Sequence, residues 1–298
     1  MMKNRRLPAL FILIPLFALA AEERGTYRIE SSGAVEWGTM ELSATVALNL
    51  RAAGIRLPAG RTRAEEIIRQ EYAVLMRPYI LAIPVDSSTV LGDLIERGEI
   101  SFFSPEEAAA AARRRAPALS GDLSRLEASY TIDLSLLSAY LVRHEHPQEI
   151  RRILAPVPAA SYTGIIIIAA DALPVHGKNT AALAEPCLFP KIWDSQMNLI
   201  YERNMLDRDT TSRTMVSYAE EDSIFYPAPS TLSPELEARV GPRPLRIMAR
   251  GLFGTRPTDP VIDEEDARII LSSETNRNLL REGKVVIVLN SARIRQGF

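Results

Sequence analysis

Gly164-Ile165-Ile166-Ile167-Ile168-Ala169 is the stretch whose reading decides the fold. Four consecutive isoleucines are strand length. With no polar residue on either side of the pleat, both faces must be covered, which predicts a central strand. Met40 to Leu50 reads differently. Met40, Leu42, Ala44, Val46, Leu48 and Leu50 share one side, while Glu41, Ser43, Thr45 and Asn49 share the other. That period of two predicts a strand buried on one face only. Between such strands lie segments of helical period, Arg63 to Leu81 first among them, with Ile67, Ile68, Tyr72, Leu75, Met76 and Tyr79 at three-to-four spacing. Both strand types beside amphipathic helices predict an α+β protein of two compact domains, with mixed and antiparallel sheets and helices packed on one face.

The remaining elements follow from local signals. Thr62 or the Arg61-Thr62 turn is expected to cap the first helix, with Glu65 bonding back and Pro78 near its end. Leu91–Glu96 continues after a Pro84–Val90 turn. Ser104-Pro105 starts a helix that carries Arg113–Arg115 at its C-terminal end, where the dipole favours cations. Arg125–Val142 alternates and predicts one long strand. Further strands are expected at Leu188–Trp193, Leu199–Arg203 and Arg243–Phe253. Helices are expected at Pro234–Arg239, Asp263–Ser272 and Glu274–Arg281, and Lys284–Leu289 as a terminal core strand. Pro147–Tyr162, with three prolines and little periodicity, marks the internal boundary.

At the N-terminus, Lys3, Arg5 and Arg6 precede an apolar run, Leu7 to Leu19, and Ala18-Leu19-Ala20 supplies small residues at cleavage spacing. The run falls short of the ~20 residues that span hydrocarbon, and Pro8 and Pro15 interrupt it. Residues 1–20 therefore read as a signal peptide. Residues 21–155 and 156–298 are the two domains, and no transmembrane anchor is expected in the mature chain. Losing three cations takes the formal charge from −2 to about −5, which argues against nucleic acid as a partner. Cys187 is the one cysteine, so no intramolecular disulfide can form, and its apolar neighbours predict a buried, inert thiol.

Chemistry-bearing residues are sparse. His144-Glu145-His146 has two imidazoles at strand spacing but precedes Pro147 in a loop. The acidic group Asp259, Asp263, Glu264, Glu265 and Asp266 lacks calcium-loop spacing, and Asp263 to Asp266 reads as a helix cap. Asp171 and His176 follow the isoleucine strand, a place where active sites cluster, but no nucleophile elbow accompanies them. The sequence assigns no catalytic, cofactor-binding or metal-ligating residue and implies no cofactor.

Two groups of short motifs resemble the flagellar outer-membrane lipoprotein (FlgP) and Lpp-twenty-like group of bacterial envelope proteins. The first is the Ala64–Leu81 helix, then Val85-Asp86-Ser87-Ser88-Thr89-Val90 and Asp93, with a returning strand at Ala128–Leu136. The second is Ile165–Leu173, Pro186-Cys187-Leu188-Phe189-Pro190-Lys191-Ile192-Trp193-Asp194, Leu199-Ile200-Tyr201, and Thr258-Asp259-Pro260-Val261-Ile262 with Asp266-Ala267. No lipobox cysteine is present, Pro174–Glu185 reads as an insertion, and Met197-Asn198 stands where relatives turn on glycine. The resemblance implies a periplasmic, non-enzymatic structural or assembly component. Its partners would be cell-envelope proteins, flagellar or outer-membrane, or further copies of the chain. Strand edges and the Leu252-Phe253 loop are the expected contact surfaces. The reading from another class is a periplasmic hydrolase using Asp171 and His176.

Overall fold

The computed structural model describes residues 29–100, 111–154, 160–208, 214–225 and 232–298. The expected signal peptide of residues 1–20 and the expected helix start at Ser104-Pro105 lie outside them. The N-terminal half is a strand meander with a helix on one face. Ile29–Glu36 (β1) and Glu41–Asn49 (β2) pair antiparallel through a tight turn in which Met40 adopts a positive φ. Arg61–Leu81 (α1) and Leu91–Glu96 (α2) follow, then Arg113–Arg114 (β3), Ala118–Leu119 (β4), Arg125–Asp133 (β5) and Leu134–Leu141 (α3). β5 pairs β2 over its whole length and carries β3 and β4 on its other edge.

The period of two in β2 does what the sequence predicts: Leu42, Ala44, Val46 and Leu48 are all buried. α1 covers that face with Ala64, Ile68, Tyr72, Met76 and Ile80, an i, i+4 ridge lying against the sheet. Tyr72 stacks face to face on Tyr130 of β5 at 4.3 Å. At the far end of α1 the ring of Tyr79 rests on β1, because Gly33 has no side chain to hold it off, and its hydroxyl meets Ser31 Oγ at 2.9 Å.

The C-terminal half begins with Ile165–Ala169 (β6). Then come the hairpin Leu173–Pro174 (β7) and Ala181–Ala182 (β8), the pair Ile192–Asp194 (β9) and Leu199–Tyr201 (β10), and Ser217–Glu220 (β11). Asp222–Phe225 (α4), Pro234–Val240 (α5), Leu245–Met248 (β12), Gly251–Phe253 (β13) and Asp259–Ile262 (β14) lead to Glu264–Ser272 (α6), Glu274–Arg281 (α7) and Val285–Leu289 (β15). Four strands form a parallel sheet in the order β11-β15-β6-β12. The isoleucine run lies inside it, covered on both faces. Ile165 and Ile167 enter the large core, while Ile166 enters a smaller cluster with Ile224, Leu236, Val240, Val286 and Val288 beneath α4 and α5. A second, mixed sheet has the order β10-β9-β14-β13.

The chain does not end at β15. Ser291–Ile294 (α8) turns it back, and Arg295–Gly297 (β16) adds to β1 as the outer strand of the first sheet. One hydrophobic core consequently runs through both halves.

Several boundaries differ from the sequence expectation. Arg125–Val142 is a strand only to Asp133, whose carboxylate accepts the Ser135 N–H at 2.9 Å and caps α3. Beyond it the buried positions become Leu134, Leu137, Ser138 and Leu141, a helical spacing that leaves Leu136 51% exposed. Arg113 and Arg114 are strand, not helix end, since β5 offers an unpaired edge there. Arg243–Phe253 divides into β12 and β13, which belong to different sheets. Leu188–Lys191 is irregular, and the strand begins only at Ile192. α1 starts behind Gly60 with no side-chain cap from Thr62. Lys284–Leu289 is a core strand but not the terminal one.

Gly33→Ala tests the packing of α1 on β1. The added Cβ would lie 2.7 Å from Tyr79 Cγ, so the ring must move and its contact with Ser31 is lost. A loss of about 1–3 kcal/mol is expected by urea unfolding. Combining it with Tyr79→Leu should cost less than the two single losses added together.

Candidate functional site

The reactive side chains named from sequence are dispersed. Asp171 and His176 are both exposed, on either side of β7, and no hydrogen bond joins them. The His176 backbone N–H donates to Leu252 O at 2.7 Å, and its ring lies 6.0 Å from that of Phe253. His144 Nε2 meets Leu206 O at 2.7 Å, which ties the ring to a carbonyl across the halves. Among the described residues no group of three or more histidine, cysteine, aspartate or glutamate side chains is placed to hold a metal ion. Asp263 occupies the position before α6 but makes no cap bond; its carboxylate pairs with Arg250 Nε at 2.6 Å. Leu252 is fully buried in the core and Phe253 is half-buried, and the two lie on β13 and not in a loop.

Cys187 and Asp259 belong to a buried seam between the halves. Leu188 N–H donates to Pro84 O at 3.0 Å and Phe189 N–H to Val85 O at 2.8 Å, while Arg256 N–H reaches Ser87 O at 2.8 Å. The Pro84–Val90 loop that receives them is held open by Asp86, whose Oδ1 accepts the N–H groups of Ser88 and Thr89, each at 2.9 Å. Behind it, the Tyr218 hydroxyl accepts the Cys187 N–H at 3.0 Å and donates to Cys187 O at 2.7 Å. Trp37, from the N-terminal half, meets the edge of the Tyr218 ring at 5.7 Å. Burial pushes the Cys187 thiol well above its ordinary pKa, and the nearby Asp259 carboxyl adds to this. Such a thiol stays protonated and unreactive. Asp259 is 1% exposed and accepts from Thr258 Oγ1 at 2.7 Å and from Lys191 N–H at 3.1 Å. Burial raises its pKa even so.

An open site lies beside this seam. A cleft of about 550 Å³ runs along β11. Its floor is Ser217, Tyr218, Ala219 and Glu220, one wall is α5 with Leu236 and Arg239, and the opposite wall is Glu36, Gly38 and Ile294. The α5 wall stands where it does because Ser233 caps the helix at Leu236 N–H, Pro234 starts it, and Gly164 lets Val240 approach β6 closely. Arg239 is fixed by two bonds to Thr214, at 2.9 and 3.1 Å. Burial lowers its pKa to about 10, still high enough to keep it charged near neutrality. Three carboxylates, Glu36, Glu220 and Glu235, line the cleft and form no ion pair with any described residue. Sequence reading missed all of these, because they come from four separated segments. The alternation Val216-Ser217-Tyr218-Ala219 was the sole local signal of the strand they surround.

Asp259→Asn gives a test of the seam. The folded chain holds the Asp259 proton more tightly than the unfolded one, whose value is 3.8. Its contribution is therefore fully present below 3.8 and is lost as pH rises through the higher folded value. Asparagine keeps the Oδ1 acceptor without the charge. The variant's stability relative to wild type should thus increase as the pH rises above about 4 in urea titrations.

No curated protein matches the chain. Residues 28–140 match the family model of the N-terminal domain of Treponema pallidum Tp0624, and residues 164–291 match that of its second domain. The chain is thus similar, half by half and in the same order, to the first two domains of Tp0624.

Proposed function

We propose that this chain is an exported structural or assembly protein of the bacterial cell envelope and catalyses no reaction. The observation that carries the reading is where its reactive groups are spent. Cys187, Tyr218 and Asp259 are engaged in a buried seam between the two halves, whereas the open cleft is lined by β11 and by three carboxylates with no ion-pair partner among the described residues. A body presenting a strand edge is suited to packing against other proteins. The leader of residues 1–20 supports export to the periplasm. Among the described residues no helix is long and apolar enough to cross a membrane. The flagellar or outer-membrane setting rests on the motif resemblance around Pro84–Val90 and Pro186–Asp194.

Crosslinking in intact cells with the chain as bait, read by mass spectrometry, tests the proposal. Crosslinks to outer-membrane or basal-body components are the expected outcome, and recovery as a free periplasmic monomer sinks it. His176→Ala separates the hydrolase reading: an assembly protein should keep its crosslinks and its phenotype, while an enzyme would lose function with its fold intact.

A further inference from the structure

β11 is an edge strand. It pairs β15 on one side only, and on the other none of Ser217, Tyr218, Ala219 or Glu220 makes a backbone hydrogen bond to any described residue. Unpaired N–H and C=O groups in a row form a template for another strand. Most natural edges are blunted by a covering element, a bulge or a charged side chain pointing across the edge. Here the edge lies at the bottom of a cleft with walls on both sides, long enough to receive about four extended residues at ~3.3 Å each. The walls shield added backbone bonds from water, and water is what makes an exposed edge bond weak.

The rim selects the occupant. Glu36 stands on one wall, Glu235 on the other and Glu220 at the end of the strand, all without a cationic partner among the described residues, while Arg239 in the same lining is occupied by Thr214. An acidic strand would face three like charges, whereas a strand bearing lysine or arginine would meet three carboxylates near a low-dielectric floor. Ser217 and Ala219 are small and half-buried, which leaves room for apolar side chains on the alternate positions.

We propose that this cleft binds an extended, basic segment of a partner protein by strand addition to β11. The proposal rests on the reading of the chain as an assembly component and names the chemistry of what it assembles with. The β12 edge at the other end of the sheet leaves Met248 half exposed, and no cluster of carboxylates among the described residues selects an occupant there.

The test uses the purified chain and two fluorescein-labelled peptides, one alternating lysine with valine and one alternating glutamate with valine. Binding is read by anisotropy, and hydrogen exchange is followed at Ser217–Glu220. The lysine peptide should bind at least about tenfold more tightly and slow exchange at those amides. The triple variant Glu36→Gln, Glu220→Gln, Glu235→Gln should lose about tenfold while melting like wild type, since none of the three is buried. Equal binding of both peptides overturns the proposal. So does lysine-peptide binding that leaves the β11 amides unprotected, which would be surface adsorption. Protection that grows with protein concentration in the absence of peptide overturns it too, by making a second copy the occupant. The two readings fail separately: a free periplasmic monomer in cells removes the envelope role whatever the peptide does, and an unprotected β11 removes the cleft whatever the crosslinks name.

Discussion

The backbone bonds from Leu188 and Phe189 to the carbonyls of Pro84 and Val85 are the constraint on which the architecture depends. They seat a loop of the first domain on an irregular segment of the second, at a place where neither side has a sheet partner to offer. Buried peptide groups without partners each cost about 1–3 kcal/mol, so the seam must be satisfied internally or it opens to water. Asp86 shapes the receiving loop, Tyr218 satisfies both backbone groups of Cys187, and Gly254, at φ +109, lies where a Cβ would strike Ser87. Once this contact is closed, Trp37 can reach Tyr218 and the core becomes continuous.

β16 closes the same body from the other end. After β15 the chain turns at α8, where Trp37 N–H donates to Ile294 O at 2.9 Å, and its last residues extend the first sheet beyond β1. The first sheet thereby acquires its outer strand from the C-terminal half, so neither half has its full set of partners alone. The same turn sets Ile294 opposite β11 and makes the far wall of the cleft. The far wall of the cleft is thus a consequence of this return of the chain.

The parts of this fold that could be read in advance are those in which one face of an element decides everything. The isoleucine run and the alternation of β2 imposed their strands, and the four-residue ridge of α1 imposed its helix. Reading failed where two elements meet without a break in hydrophobicity. Leu134 and Leu136 continue the alternation of β5 on paper, yet the Asp133 cap converts the spacing to helical and turns Leu136 to solvent. Arg113 and Arg114 follow an alanine-rich stretch that favours helix, and the open edge of β5 outweighs that preference. The cleft was illegible for a different reason. Glu36, Ser217, Glu220, Glu235 and Arg239 carry no mutual spacing in sequence and converge only after the two halves dock.

That convergence bears on why a parallel sheet ends in an uncovered strand. Parallel strands are ordinarily buried on both faces and lie inside a sheet, and β6 and β15 obey this. β11 has both faces covered, by Tyr218 toward the large core and by Ala219 toward the smaller cluster, yet no described residue pairs with its outer edge. Two devices that would blunt such an edge are nearby and are not used. α5 and Ile294 of α8 flank the edge as the walls of the cleft, and α8 then delivers β16 to the other sheet. The glutamates at the rim discourage edge-to-edge pairing of β11 with an acidic or apolar strand and leave it open to a basic one. An edge kept open along its length but closed by charge to most partners has the form of a selective docking strand.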